Sequence, residues 1–221
     1  MGLHLIDIYR SPNIGIFLKA NDRTILVPKG IAGSKAEKLS TDLAVTPCFA
    51  SVGGTRLMGP LVVMNNKGVL ASRMIEDYEV EEIASTTGLR VERLQSRYTA
   101  VGNLVAANDH GAVVSPLLEH QAVKQVQEVL GTETLTITVG EYYQVGAMVL
   151  ATNSGAAVSP NATEAEGDAI GKILRVDASA SSVNGGIPFT ASGVVANSRN
   201  AVAGYLTTGP ELVFLTRALN V

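Results

Sequence analysis

The feature that most constrains this fold is a five-fold internal repeat. Each copy carries a glycine within an apolar run that is followed by a polar turn, and successive glycines are 44, 43, 44 and 47 residues apart. A fixed period of this length is typical of an array built from one supersecondary unit. We therefore expect a single domain over residues 1–221. The repeat glycines are Gly15, Gly59, Gly102, Gly146 and Gly193.

The composition indicates a folded, turn-rich protein that contains strands. Hydrophobic residues make up 46% of the chain and charged residues 17%, with 22 glycines and no tryptophan. A disordered chain would be less hydrophobic. The net charge is -3 at pH 7, whereas proteins that bind nucleic acid by neutralising phosphates are strongly basic. The sequence thus disfavours DNA or RNA as the main binding partner.

Cysteine usage and hydropathy bear on the cellular compartment. The single cysteine, Cys48, excludes a disulfide within the chain, and no signal-peptide pattern is present, so we expect a cytoplasmic protein. Residues 142–163 carry no charge, but Asn153, Gly155 and Pro160 interrupt them. Because a membrane helix needs a continuous apolar stretch, this segment is interpreted as a buried hairpin and no membrane contact is expected.

One copy of the repeat predicts two strands, a helix and a third strand. In the third copy, two short apolar runs flank the turn residues 108–111, as in a hairpin. Ser115 and Pro116 then predict a helix start, and Gly131 predicts its end.

The fifth copy opens its helix with a predicted capping box of Thr208 and Glu211, but the chain ends before a third strand. An N-terminal strand, residues 3–9, is left over. We expect it to complete the fifth unit and so close the array into a ring, which would leave no open sheet edge. In such a ring the repeat glycines would lie near the axis, where backbones crowd.

The sequence contains no convergent group of acid, base and nucleophile. His4, His110 and His120 fall on a strand, in a turn and on a helix, without metal-ligand spacing. Cys48 is flanked by apolar residues, which favours a buried, inert thiol. The acidic run 76–82 fits the solvated side of a helix. We expect no catalysis, no metal and no cofactor.

Several motifs in register resemble archaeal and eukaryotic translation initiation factor 6. The resemblance covers essentially the whole chain, which lacks the C-terminal extension of the eukaryotic members and looks like the archaeal form. It implies the pentein fold, an α/β fold of five quasi-identical ββαβ units in a closed propeller-like ring with pseudo-five-fold symmetry. The motifs are Asn13-Ile14-Gly15, Arg56-Leu57-Met58-Gly59, Val91-Glu92-Arg93-Leu94, Ala100-Val101-Gly102-Asn103-Leu104-Val105, Asn108-Asp109 and Val114-Ser115-Pro116.

The resemblance also implies a function. Members of this family bind the large (50S) ribosomal subunit on the face that meets the small subunit, chiefly through the L14-family ribosomal protein near the sarcin-ricin loop. Bound there, they block subunit joining, and they also act in large-subunit maturation. A GTPase with a partner protein releases them. This chain is accordingly expected to be a monomer without enzymatic activity.

The ribosome contact is expected at the ring of strand starts where the repeat glycines lie. Gly146 and Gly193 are expected to be structural members of that ring. Pro60 stands where a basic residue is expected in eukaryotic members, and Arg10 and Arg97 are predicted to contact acidic groups or RNA phosphates at the rim. The predicted ribosome-binding residues are Arg10, Asn13, Gly15, Arg56, Gly59, Pro60, Arg97, Gly102 and Asn103.

Two other functions stay open at this point. Penteins include guanidine-modifying hydrolases and transferases, whose central channel holds a nucleophilic cysteine with histidine and carboxylates. In this chain only Cys48, in the first copy, could be that nucleophile. The second alternative is a propeller-like scaffold for another protein partner, because a fold alone does not fix a function.

Overall fold

The computed structural model describes residues 2–221 and contains five units of the predicted ββαβ type. Each unit begins with one helical turn, which leads into two short strands, a helix of 11 residues and a third strand. The strands are β1 (Gly2–Ile6), β2 (Lys19–Ala20), β3 (Thr24–Pro28), β4 (Thr46–Ala50), β5 (Val62–Met64), β6 (Gly68–Ala71), β7 (Arg90–Arg93), β8 (Val105–Ala107), β9 (Gly111–Val114), β10 (Glu133–Thr136), β11 (Val149–Ala151), β12 (Ala156–Val158), β13 (Ala178–Ala180), β14 (Val194–Ala196) and β15 (Asn200–Gly204). The long helices are α1 (Gly33–Leu43), α3 (Asp77–Thr87), α5 (His120–Leu130), α7 (Glu164–Leu174) and α9 (Gly209–Leu219). The short turns are a 3₁₀ turn (Ile14–Ile16), α2 (Met58–Leu61), α4 (Val101–Leu104), α6 (Val145–Met148) and α8 (Thr190–Gly193).

Each unit holds one three-stranded sheet. In the second unit, the central strand β6 pairs antiparallel with β5 and parallel with β7. The fifth sheet takes its outer strand from the opposite end of the chain, because β1 lies parallel to β15 with Leu3 opposite Ala201. Within residues 2–221 no strand pairs across two sheets, so the units are joined by packing and not by a continuous ladder.

The ring closes through the helical turns. Each turn contacts the turns of both neighbouring units, and α8 of the fifth unit contacts the 3₁₀ turn of the first. The first strands of the five units contact one another in the same order around the axis. The predicted pentein arrangement of five α/β units is therefore confirmed. The expectation that no sheet edge stays open is wrong, because within residues 2–221 each three-stranded sheet keeps two outer strands that pair on one side only.

The apolar runs predicted as strands begin as helical turns. In the third unit Val101–Leu104 form a turn, and only Val105–Ala107 form the strand. The axis is crowded, because a Cβ atom on Gly102 would overlap the carbonyl oxygen of Gly59 and lie 2.6 Å from that of Val62. Without that atom the backbones of neighbouring turns can touch. The predicted ring of strand starts is thus a ring of turns.

Gly193 is not the fifth member of the glycine ring, and the spacing-based prediction is wrong there. It ends its turn, at the position that Leu61 holds in the second unit. Ala191 occupies the ring position, and its carbonyl oxygen lies against Gly15. A methyl group is accommodated at this one junction. The next glycine therefore follows after 47 residues, although the ring position itself recurs after 45.

The serine–proline start predicted for α5 is also wrong, since the helix begins at His120. Ser115 instead closes a turn that precedes the helix, because its Oγ accepts a hydrogen bond from the backbone N–H of Leu117 and its carbonyl oxygen accepts one from Leu118. Gly131 ends the helix in the left-handed conformation, with φ of 60°, as predicted.

The hydrophobic core lies between units. One cluster joins Val63 and Leu70 of the second unit to Val105 and Val126 of the third. The cluster between the fifth and first units is built in the same way. Because every unit completes its core with a neighbour, we expect the ring to fold as one cooperative body.

Buried glutamates hold the loops that lead into the turns. Glu79, which the sequence placed on a solvated helix side, is fully buried. Its carboxylate accepts hydrogen bonds from Ser51 Oγ and from the backbone N–H groups of Gly53 and Gly54. Helix periodicity does not show donors that arrive from a distant loop, so the sequence prediction failed at this residue.

Glu211 repeats this arrangement in the fifth unit, where its capping box with Thr208 is present as predicted. The carboxylate also accepts hydrogen bonds from Ser182 Oγ at 2.8 Å and from the backbone N–H groups of Gly185 and Gly186. Burial raises the pKa of Glu211, but the hydrogen bonds outweigh that effect and lower its pKa from 4.5 to about 2. The Glu211 carboxylate, which holds this loop, thus stays charged well into acid solution.

Candidate functional site

One end of the ring combines the features expected of a binding surface. We call it the glycine face and define it as the five helical turns together with the loops before them, residues 8–16, 52–61, 95–104, 139–148 and 182–193. At its centre the axis opens as a pocket of about 60 Å³, here called the axial pocket. The turn residues that line it are Gly15, Ile16, Gly59, Pro60, Gly102, Asn103, Gly146, Ala147, Ala191 and Ser192.

Five of the nine predicted site residues line this pocket, namely Gly15, Gly59, Pro60, Gly102 and Asn103. Gly146 lines it as well, although the sequence assigned it a structural part only. Gly193 does not line the pocket, because Ala191 takes the ring position in the fifth unit.

Asn13 lies beside the first turn and is fixed by the fifth unit. The side-chain amide of Asn184 donates hydrogen bonds to Pro12 O at 3.0 Å and to Asn13 Oδ1 at 3.3 Å. Asn13 therefore helps to join the two ends of the chain, in addition to its position on the predicted surface.

The three predicted arginines are exposed at the rim. The Arg56 guanidinium lies 5.1 Å from the centre of the Tyr9 ring, and Tyr9 packs edge-on against Phe17. Arg97 lies over Tyr98 at 4.9 Å and donates to its hydroxyl at 3.0 Å. The Nε atom of Arg97 also lies 3.6 Å from a carboxylate oxygen of Glu119. Stacking on an aromatic face orients a guanidinium toward a partner.

Tyr9 and Arg10 occupy a turn that the second unit builds with two glycines and the fourth unit with Gly140 and Glu141. Tyr9 and Arg10 have left-handed backbone, with φ of 54° and 62°, and the second unit has Gly53 and Gly54 at the matching positions. Side chains other than glycine pay a cost of about 1 kcal/mol in this conformation. Non-glycine residues held there are often functional.

Sequence reasoning missed an apolar component of the rim. Five large side chains of the loops before the turns are exposed between 37% and 47%. An alignment of the five sequence copies could have found them, because they lie shortly before the turns. They are Tyr9, Leu57, Tyr142, Tyr143 and Ile187.

Lys19 is an unexpected charge near the axis. It lines the axial pocket at a strand position that Val63, Ala106 and Leu150 fill in other units. Among residues 2–221 no group accepts a hydrogen bond from its ammonium. Burial of that group lowers the pKa of Lys19 from 10.5 to about 8.

Replacing Lys19 with methionine is expected to stabilise the fold by up to about 3 kcal/mol at pH 7, since each pKa unit between 10.5 and about 8 is worth about 1.4 kcal/mol. Because the folded-state pKa is lowered, the folded chain binds fewer protons than the unfolded chain between about pH 8 and 10.5. The stability of the wild type therefore rises across that window, and the advantage of the variant shrinks. Urea unfolding of the wild type and the variant at pH 7 and pH 10 measures their stabilities. If the variant were more stable than the wild type by the same amount at both pH values, the burial of the Lys19 charge would be contradicted.

At the opposite end of the axis, polar side chains from the hairpin turns form a hydrogen-bonded ring. The carboxylate of Asp109 accepts hydrogen bonds from Asn66 Nδ2 at 2.6 Å and from Asn153 Nδ2 at 2.7 Å. Asp22 accepts from the same two amides and from the backbone N–H of Ser198. A second, smaller pocket of about 20 Å³ lies within this ring.

The residues considered for catalysis do not meet at the axis. Cys48 is buried in β4, does not line the axial pocket, and has its pKa raised by burial. Within residues 2–221 no three or more histidine, cysteine, aspartate or glutamate side chains converge in the manner of a metal site. In the same part of the chain no helix is both long and apolar enough to span a membrane.

Comparison with known proteins gives consistent matches over the whole chain. The sequence pattern of the eIF-6 family matches residues 3–218. A protein named Translation initiation factor 6 from Nitrosopumilus maritimus is 43% identical over 218 residues, which are 99% of both chains. Its namesakes from Cenarchaeum symbiosum and Thermococcus onnurineus are 40% and 34% identical, with at least 98% of each chain covered.

Proposed function

Because this chain belongs to the eIF-6 family and is a translation factor, we propose that it binds the large (50S) ribosomal subunit through the glycine face. The bound factor occupies space that the small subunit needs, so the two subunits cannot join. Its main contact is the L14-family ribosomal protein near the sarcin-ricin loop, and a GTPase with its partner protein releases it. The same contact serves large-subunit maturation.

The composition of the rim is the observation that carries this proposal. Tyrosine and arginine dominate the hot spots of protein interfaces, because they combine a large apolar surface with hydrogen-bond donors. Here Tyr9 with Arg56, and Tyr98 with Arg97, lie on the loops that lead into the first three turns of the glycine face. A chain with a net charge of -3 can use such a face, since the contact is mostly with protein.

Steric exclusion requires a rigid body and no catalytic group. The turns of the glycine face touch through their backbones, and glutamates clamp the adjoining loops. A surface fixed in this way loses little conformational entropy on binding. We therefore propose that the protein acts by occupancy and not by turnover.

Replacing Arg10 with glycine is expected to separate binding from stability. Glycine relieves the left-handed backbone, so the free energy of unfolding rises by up to about 1 kcal/mol. Loss of the guanidinium weakens large-subunit binding about tenfold, as for a moderate interface contact. Urea unfolding and a binding titration measure the two quantities.

Arg175→Gly is the matched control for that change. Arg175 has the same backbone conformation, with φ of 54°, but it ends α7 beside the hairpin turn at Asn153. This variant should gain stability and bind normally. If Arg10→Gly bound the large subunit as tightly as the wild type does, Arg10 would not be part of the contact.

Co-sedimentation tests the proposal as a whole. The purified protein is mixed with archaeal large subunits, small subunits or assembled ribosomes and run on sucrose gradients. Selective migration with the large subunit supports the proposal. Migration with neither subunit, or equally with both, would overturn it.

A further inference from the structure

The axial pocket has an electrostatic character that the steric role does not require. Three polar side chains line it, Lys19, Asn103 and Ser192, and none of its lining residues is acidic. The hydroxyl of Ser192 is already used, since it donates to Phe189 O at 2.7 Å. The pocket therefore presents one positive charge and one amide to whatever fills it.

Both of these groups lack partners. Within residues 2–221 neither the Lys19 ammonium nor the Asn103 side-chain amide makes a hydrogen bond, and both side chains are partly exposed to the pocket. An unpaired charge near the axis costs stability, and the other units avoid that cost with apolar residues at the position of Lys19. An anion in the pocket would supply the missing partner and remove most of the cost.

The pocket has room for a small anion. About 60 Å³ are open to the centre of a water molecule, and one water needs about 10–15 Å³ of such space, so a carboxylate group fits. The polar ring at the far end holds the carboxylates of Asp22 and Asp109, whose negative charges oppose the entry of an anion there. We therefore expect the anion to enter from the glycine face.

We propose that Lys19 and Asn103 form a binding site for one carboxylate group in the axial pocket. The carboxylate accepts from the Lys19 ammonium and from the Asn103 amide, and no bond is made or broken. It comes either from a free carboxylate in solution or from an acidic side chain of a docked protein. Neither the site nor its first test depends on ribosome binding.

The first test is an NMR titration of the ¹⁵N-labelled protein with sodium acetate at pH 7, with sodium chloride replaced so that ionic strength stays constant. The amides of Gly15, Gly59 and Gly102 report on the pocket that they line. We expect their shifts to saturate with a dissociation constant on the order of 1–10 mM, the affinity of a single charged contact. In Lys19→Met, which is expected to fold, acetate binding should weaken at least tenfold.

Lys38→Met is the matched control, because Lys38 is an exposed lysine of α1 that pairs with Asp42. Acetate should bind this variant as it binds the wild type. Saturation that is unchanged in Lys19→Met would overturn the site, since Lys19 would then contribute nothing.

Large-subunit affinity distinguishes the two sources of the carboxylate. If Lys19→Met binds the subunit about tenfold more weakly while Lys38→Met does not, the carboxylate belongs to the docked protein, and acetate should compete with docking. If affinity is unchanged while acetate still saturates the wild type, the ligand is a free carboxylate. Absence of saturation together with unchanged affinity would overturn the proposal.

Discussion

Replacing Gly102 with alanine is expected to prevent the ring from forming. The added Cβ would overlap the carbonyl oxygen of Gly59 and lie 2.6 Å from that of Val62. Both are backbone atoms, so no side-chain rotation relieves the overlap. We expect a loss of at least about 4 kcal/mol, the range of the most damaging core substitutions. Circular dichroism and urea unfolding measure it.

Gly167→Ala is the matched control for this substitution. Gly167 lies inside α7, and a Cβ atom there would meet no other atom within 4 Å. Alanine is a better helix former than glycine, so this variant should gain about 1 kcal/mol. A Gly102→Ala protein with wild-type stability would show that the turns do not pack as closely as described.

The second large effect is expected from Asn103→Arg. Asn103 lines the axial pocket from the third turn, and arginine would place a longer, charged side chain into a surface fixed by backbone contacts. We expect large-subunit affinity to fall about 100-fold, the scale on which a central interface residue acts. Binding is measured by titration of labelled factor with 50S subunits.

His110→Arg adds the same charge at the other end of the same unit, where His110 is exposed in the hairpin turn. Its affinity should equal that of the wild type. If both variants bind equally well, the contact lies elsewhere on the molecule. If both are weakened alike, net charge and not the glycine face governs binding.

The architecture was predictable because it follows from repetition. A glycine that recurs with a nearly constant period shows that the same crowded backbone contact is made again and again. The capping box of Thr208 with Glu211 and the glycine end of α5 were predictable for a similar reason, since each is a local rule with one geometry.

The failures arose where contacts come from distant parts of the chain. Gly193 was the nearest glycine by spacing, but pairing of β14 with β15 places Ala191 at the ring position. Glu79 looked solvated, because the loop donors that bury it lie 25 to 28 residues earlier. Position along one helix carries no information about either contact.

Some residues of the candidate site were predictable from the sequence, and others needed the structure. Gly102 and Asn103 follow from the repeat together with the family resemblance, and the structure places them at one pocket. Lys19 could not be selected from sequence, because only the ring shows that this strand residue lies at the axis without a partner. Tyr142 and Tyr143 needed the structure to show that they are exposed in the loop before the fourth turn.

Steric exclusion by the glycine face is tested most directly by subunit joining. Large and small archaeal subunits are mixed with the wild type, Asn103→Arg or His110→Arg, and the formation of assembled ribosomes is followed by light scattering. Exclusion predicts that the wild type and His110→Arg abolish the scattering increase at one factor per large subunit, whereas Asn103→Arg leaves most of it intact. Normal joining while wild-type factor remains bound to the large subunit would contradict exclusion.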